Sequence, residues 1–276
     1  MRALRASTNS QMAQEAGNAG GGVSLPIRFS HLRAYGKSAA HGLYARQQDP
    51  VVTGAMQRGT AVHALLLGGR KVGAWDGPQR RGKEYDAFAA ANPDMEILTQ
   101  KEYGKASAMA RAIQECALAK PFLEGDCERT INFRWYGQEC RATPDIRGNK
   151  RVVEIMTSKT ADPERFPWES LRMKYHAQIR MQQIATGDDA QEGYVIVVES
   201  EPPHPVTVFR VTDEALEAGE KSLVLWMERL ITCEKSESYP PYVSCIMPLD
   251  VPQQEGIEFD DEAPELDPQA EHGLQI

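Results

Sequence analysis

Apolar positions along this chain follow two rhythms, and the switch between them places most of its elements. Alternation or short continuous apolar runs mark strands at 130–136, 138–146 and 151–156, with turns at Tyr136-Gly137 and Arg147-Gly148-Asn149. The first two read as a hairpin. Residues 192–199 form a strongly apolar strand, and Pro202-Pro203 then turns the chain into 205–211, which alternates and is expected to pair back on it. Spacings of three and four mark helices. Ser30 is placed to cap the first, 38–46 reads as a second, and Met56, Gly59, Thr60, His63 and Leu67 fall at helical spacing in a third. A glycine inside a helix costs about 1 kcal/mol relative to alanine, so Gly59 points to close packing or close approach of a ligand. Residues 71–83, rich in glycine and basic side chains, read as a loop, and 84–91 as a short helix. A strand at 96–99 delivers a helix over 101–119 capped by Thr99. A helix over 168–186 ends at Gly187, and Thr212 caps a long amphipathic helix over 214–233.

Composition sharpens this into domains. Residues 1–27 are expected to be a flexible basic, Gly-rich arm, 28–248 one α/β domain, and 249–276 an acidic disordered tail. The chain of 276 residues is 41% hydrophobic and 25% charged, ordinary for a globular protein. No apolar run approaches the roughly 20 residues of a membrane span, and the first residues lack the apolar core of a secretory signal. A cytoplasmic protein with no membrane partner is the expectation. Five scattered cysteines without a C-x-x-C pair exclude a disulfide framework or a close-paired zinc site as the organising feature. The formal net charge of −8 is unevenly placed. Residues 249–276 hold nine acids and no Lys or Arg, and residues 1–83 hold twelve Lys/Arg against three acids. A basic first third is suited to a phosphate backbone.

Candidate chemistry is concentrated between Cys140 and Gly187. Pro144-Asp145 is followed nine positions after Asp145 by Glu154, which sits behind the β-branched pair Val152-Val153. Neighbouring antiparallel strands lie about 4.8 Å apart, so two such carboxylates can share a cation. Oxygen-rich sites of this kind suit Mg²⁺ or Mn²⁺. The residues alone leave a second reading open, in which Asp145 shapes a turn and Glu154 faces solvent.

Pro-Asp, a hydrophobic strand bearing an acid and a helix with Y-H-x-Q together resemble the PD-(D/E)xK nuclease superfamily. Within it the chain is most similar to the RecB-type branch and the exonuclease VIII (RecE-like) group of phages and prophages. S-H-L-R-A-Y-G-K, R-G-T-A-V-H-A-L-L-L, E-I-L-T and Y-V-I-V-V-E-S-E-P-P extend the resemblance over roughly 28–243. It implies an α/β, restriction-endonuclease-like core with a central mixed β-sheet flanked by α-helices. It also implies a Mg²⁺- or Mn²⁺-dependent exodeoxyribonuclease acting on double-stranded DNA ends in phage-type recombination, as a homo-oligomeric ring with a single-strand annealing protein as partner. By the same resemblance His63, Asp145, Glu154 and the Ile155 carbonyl are the metal ligands. Gln178 is the glutamine of the helix motif, and Gln182 stands where the motif carries an aromatic residue.

One position departs from the family. Residue i+2 on a strand returns to the same face, so Met156 points where Glu154 points, and the family places its lysine there. Three readings stay open: another lysine has taken the role (Lys174, one helical turn before Gln178, or Lys159), the chain binds DNA with little or no cleavage, or Met156 replaces the lysine in this copy. Asp145, Glu154, Lys174 and Gln178 are therefore the catalytic candidates.

Overall fold

The computed structural model describes residues 25–48, 54–77, 79–187, 191–243 and 245–249. The expected arm and tail lie almost wholly outside the described residues. The chain divides into Met1–Tyr242 and Val243–Ile276, and the fold below is that of the first.

Helices α1 (Phe29–Lys37), α2 (Ala39–Gln47) and α3 (Gly54–Leu67) lead into strand β1 (Lys71–Trp75), α4 (Lys83–Ala91), β2 (Met95–Thr99) and α5 (Gln100–Glu115). The second half supplies β3 (Asp126–Cys127), β4 (Ile131–Trp135), β5 (Gln138–Ala142), β6 (Ile146–Gly148), β7 (Arg151–Ser158), α6 (Phe166–Met173), α7 (Tyr175–Thr186), β8 (Glu192–Glu199), β9 (Val206–Arg210) and α8 (Asp213–Ser236). The main sheet has the order β3-β6-β7-β8-β9. It is mixed: β7 and β8 run parallel, while β3–β6, β6–β7 and β8–β9 are antiparallel.

Alternation along β7 sends its side chains into two cores. Val153 and Ile155 join Ile146, Ile196 and Val198 under α3 and α5. Val152 joins Val195, Val197, Phe166 and Ile179 on the other face, where Met156 also packs. A third cluster ties α1, β5 and α7 to α8 through Leu32, Tyr35, Cys140, Met181 and Trp226. None of the five cysteines is in a disulfide, and among the described residues no helix is long and apolar enough to cross a membrane.

Four local expectations change. The segment read as a loop from residue 71 contains β1, which pairs in parallel with β2; Trp75 packs on Tyr85 and Phe88 of α4, so the aromatic contacts outweigh the loop-like composition. The strand expected over 138–146 is broken at Thr143-Pro144: β4 and β5 form a separate two-stranded sheet, and β6 joins the main one. Proline cannot donate to a ladder, and the break frees the chain to change sheets. The helix expected over 168–186 is two helices, divided at Lys174, whose backbone is left-handed (φ 65°, ψ 35°). Finally, α1 begins before Ser30, and the His31 ring accepts the Arg28 N–H at 3.3 Å. Thr99 does cap α5, in a reciprocal pair with Glu102, and Thr212 caps α8.

Helix α7 is held between two glycines. A Cβ on Gly193 of β8 would lie 2.3 Å from Ile179 Cγ2, and one on Gly219 of α8 would lie 2.8 Å from the His176 carbonyl oxygen. Alanine at 219 would gain up to about 1 kcal/mol in helix propensity, but overpacking costs about 1–3 kcal/mol. The obstructing atoms at 219 are backbone, so the cost wins. Gly219→Ala is expected to lower stability by about 1–2 kcal/mol, read as a lower urea midpoint at unchanged slope.

Candidate metal and phosphate site

Strand β6 is short. It pairs with β7 only at Arg151, Val152 and Val153, so past Val153 this edge of β7 has no strand partner among the described residues. Side chains take over there. Asp145, one residue before β6, accepts the Ile155 N–H on Oδ2 at 2.7 Å. His63, projecting from α3, places Nε2 2.8 Å from the Ile155 carbonyl oxygen and Nδ1 3.3 Å from Asp145 Oδ1. Glu154 lies opposite Asp145, whose N–H donates to Glu154 Oε1 at 3.4 Å. From α7, Gln178 Nε2 donates to Glu154 Oε2 at 2.6 Å, and Gln182 Nε2 donates to Oε1 at 2.5 Å. Asp145 is 9% and Glu154 4% exposed, so the reading of Glu154 as a solvent-facing acid is set aside.

The structure thus brings His63, Asp145, Glu154, Ile155 and Gln178 together. Lys174 is not part of their hydrogen-bond network. That residue stands at the α6–α7 junction, outside the helix that carries Gln178, and its charge bears on His176, whose pKa falls through burial and then Lys174. Among the described residues no hydrogen bond or ion pair joins its ammonium to Asp145 or Glu154. Lys159 is exposed beyond the end of β7. Met156 is half-buried against the apolar cluster of Phe166 and Ile179.

The electrostatics are those of two buried acids sharing one imidazole. Burial, then the Asp145 charge, pushes the Glu154 carboxyl well above the usual carboxylate range. For His63, burial favours the neutral ring, but Asp145, the Ile155 carbonyl and Glu154 outweigh it and raise the pKa to about 9. The ring therefore carries both protons at neutral pH and donates to both partners. Among the described residues no three His, Cys, Asp or Glu groups surround one point as a ready-made cage; here they are hydrogen-bonded to one another. The donor set is one imidazole nitrogen, two carboxylates and one carbonyl. It fits a hard divalent cation, which would also relieve the repulsion that raises Glu154.

A pH dependence follows. A histidine whose folded pKa is raised above its ordinary 6.5 stabilises the fold fully below 6.5, and that contribution is lost as pH rises through about 9. The metal-free protein is expected to lose up to about 3 kcal/mol over this window. His63→Gln should flatten that part of the profile in melting experiments with chelator. An equally steep wild-type and variant profile would show that His63 does not carry it.

Next to the cluster opens a groove of about 490 Å³ whose lining includes Arg28, Arg33 and Arg141 together with Thr143, Gln178 and Gln182. Sequence reasoning did not single out these arginines, because they come from α1, its leading residue and β5, far apart in the chain. Gln182 was noted only as a missing aromatic, although its spacing of four from Gln178 already put both on one helix face.

A mixed sheet flanked by helices, with an acid before one strand and a second acid on the next, defines a restriction-endonuclease-like fold of the PD-(D/E)xK type. Residues 28–246 match the family model described as "PDDEXK-like domain of unknown function (DUF3799)", and the chain belongs to that family. Among solved structures it is similar to a "putative exonuclease" from Eubacterium rectale, with 13% identity and a TM-score of 0.55 over 82% of this chain and 90% of that one. A phage related exonuclease from Haemophilus somnus 129PT matches with 10% identity and a TM-score of 0.38 over 78% and 97% of the two chains. No curated protein matches the sequence.

Proposed function

We propose that this protein is a divalent-metal-dependent deoxyribonuclease, an exonuclease that resects double-stranded DNA ends in phage-type recombination. The observation that carries the reading is the His63–Asp145–Glu154–Ile155 cluster opening beside a groove lined by three arginines. His63, Asp145, Glu154 and the Ile155 carbonyl would hold Mg²⁺ or Mn²⁺. Such an ion supplies charge neutralisation at the phosphate and a more acidic water. The protein's own part is orientation. Gln178 and Gln182 fix both oxygens of Glu154, and Asp145 is fixed by the Ile155 amide and His63. Arg28, Arg33 and Arg141 offer guanidinium donors to a phosphate strand. A ring-shaped homo-oligomer and a single-strand annealing partner belong to the same proposal, on the family resemblance.

Met156 supports a second reading, a DNA-binding module of nuclease fold with impaired cleavage. Linear duplex DNA incubated with the protein and Mg²⁺ or Mn²⁺ separates the two. Nucleotide release that stops with chelator and spares covalently closed circles supports the exonuclease. Retained DNA binding with no release at high protein concentration sinks it in favour of the second reading. On either reading, Arg33→Ala is expected to reduce the slope of log affinity against log salt by about one. An unchanged slope would remove Arg33 from the phosphate contacts.

A further inference from the structure

Gln182 is 3% exposed, yet it lines the groove. Its amide nitrogen is given to Glu154 Oε1, so its amide oxygen is turned away from that carboxyl. That oxygen is buried and has no hydrogen-bond partner among the described residues. A buried carbonyl left unmade costs about 1–3 kcal/mol, and such groups are met by ordered water or by a ligand. Two residues past Glu154 on the same face of β7, Met156 supplies no charge, and its thioether packs into the apolar cluster. Among the described residues Lys174 makes no hydrogen bond or ion pair to Asp145 or Glu154, and Lys159 is exposed beyond the end of β7.

We propose that Gln182 is the positioning residue for the attacking water, its side-chain oxygen accepting a hydrogen bond from that water while its nitrogen holds Glu154. The inference rests on the nuclease reading above. In the step it serves, the water oxygen forms the new bond to phosphorus. The phosphorus–oxygen ester bond breaks with its electron pair on the sugar oxygen. The water proton not held by Gln182 leaves to solvent, and the sugar oxygen takes one up from solvent. An amide cannot act as the base, so Gln182 supplies direction alone. That is part of what an ammonium at 156 would have supplied.

Gln182→Met keeps the volume and removes both amide functions. Because the lost nitrogen also held Glu154, Mn²⁺ affinity by calorimetry is expected to fall, and the decisive reading is kcat at saturating Mn²⁺: a fall of about 10–100-fold, with KM for duplex ends within about threefold of wild type. Adding Met156→Lys to Gln182→Met should restore kcat to within about threefold of wild type. A residue that only props Glu154 would instead show kcat restored to the wild-type value once Mn²⁺ is saturating, which overturns the proposal; so does an unchanged kcat at every Mn²⁺ concentration. A third readout needs no turnover: an atomic-resolution crystal structure should show the Gln182 oxygen away from Glu154 with an ordered water on it, and the reverse amide orientation overturns the assignment. If the wild type cleaves nothing, the nuclease reading itself has failed and this proposal falls with it. That outcome is told apart because it appears before any substitution.

Discussion

On the proposed nuclease reading, Glu154→Gln is expected to cut cleavage of linear duplex DNA by about a thousandfold or more, since a carboxylate that would hold the divalent ion is worth several kcal/mol of transition-state stabilisation. The same change should make the metal-free protein more stable. Glu154 is buried beside Asp145, and its carboxyl is raised well above the ordinary value of 4.5. Its favourable contribution to folding is therefore complete only below about 4.5 and is lost as pH rises toward the raised value. At neutral pH a neutral amide of the same shape removes that cost. Gln178 and Gln182 can turn their amides to suit it, and Gln182 has an unused oxygen for the new N–H. A rise of about 2–4 °C in melting temperature per kcal/mol is the scale for a chain of this size. Scanning calorimetry in chelator reads the stability, and nucleotide release reads the activity. A variant that still cleaves would remove Glu154 from the site; one that is less stable would mean that the carboxylate is satisfied in a way the contacts do not reveal.

On the same reading, Met156→Lys is expected to raise the cleavage rate by about 10–100-fold, the scale of one well-aimed charged donor at a developing oxyanion. Residue 156 lies on the same face of β7 as Glu154 and is only half-buried, so the lysine stem can cover the apolar surface that Met156 covers while its head stays on the exposed side, near Glu154. The packing cost is about 1 kcal/mol, small against the stability of a domain of this size. The gain should be larger when Gln182 is methionine than when it is intact, because the two groups serve one water. Lys174→Ala is the companion variant: a strong loss of cleavage there would show that the ammonium acts from the α6–α7 junction. An inert Met156→Lys protein would mean that the site has been remodelled beyond one residue.

The acids of the site were legible in the sequence because local rules fix them. Asp145 and Glu154 flank a short turn at symmetrical distances, and the register that pairs Ile146 with Val153 sets the two acids opposite each other. His63 was reached only through family resemblance, since its contact with Ile155 spans 92 residues and leaves no local trace. The break at Lys174 was invisible for a related reason. The stretch Met173-Lys174-Tyr175 contains neither glycine nor proline, and the junction is held by tertiary contacts: Arg33 donates to the Met173 carbonyl at 3.3 Å, and Tyr175 stacks on Phe166. Strand β1 hid behind glycines and basic residues because parallel pairing with β2 across α4 is equally non-local. The groove arginines converge only once α1 has docked against α8 and Ile27 has bridged to Cys140 of β5.

The shortness of β6 has a consequence for how this protein can be watched. Val153 and Ile155 point the same edge of β7 outward, two residues apart. Val153 is closed off by a neighbouring strand, whereas the Ile155 amide is closed off by the Asp145 carboxylate. Hydrogen exchange at Val153 therefore follows opening of the sheet, and exchange at Ile155 follows the freedom of one side chain. Two amides on one strand form a matched pair of spectroscopic probes, one for the fold and one for the hands that would grip the ion.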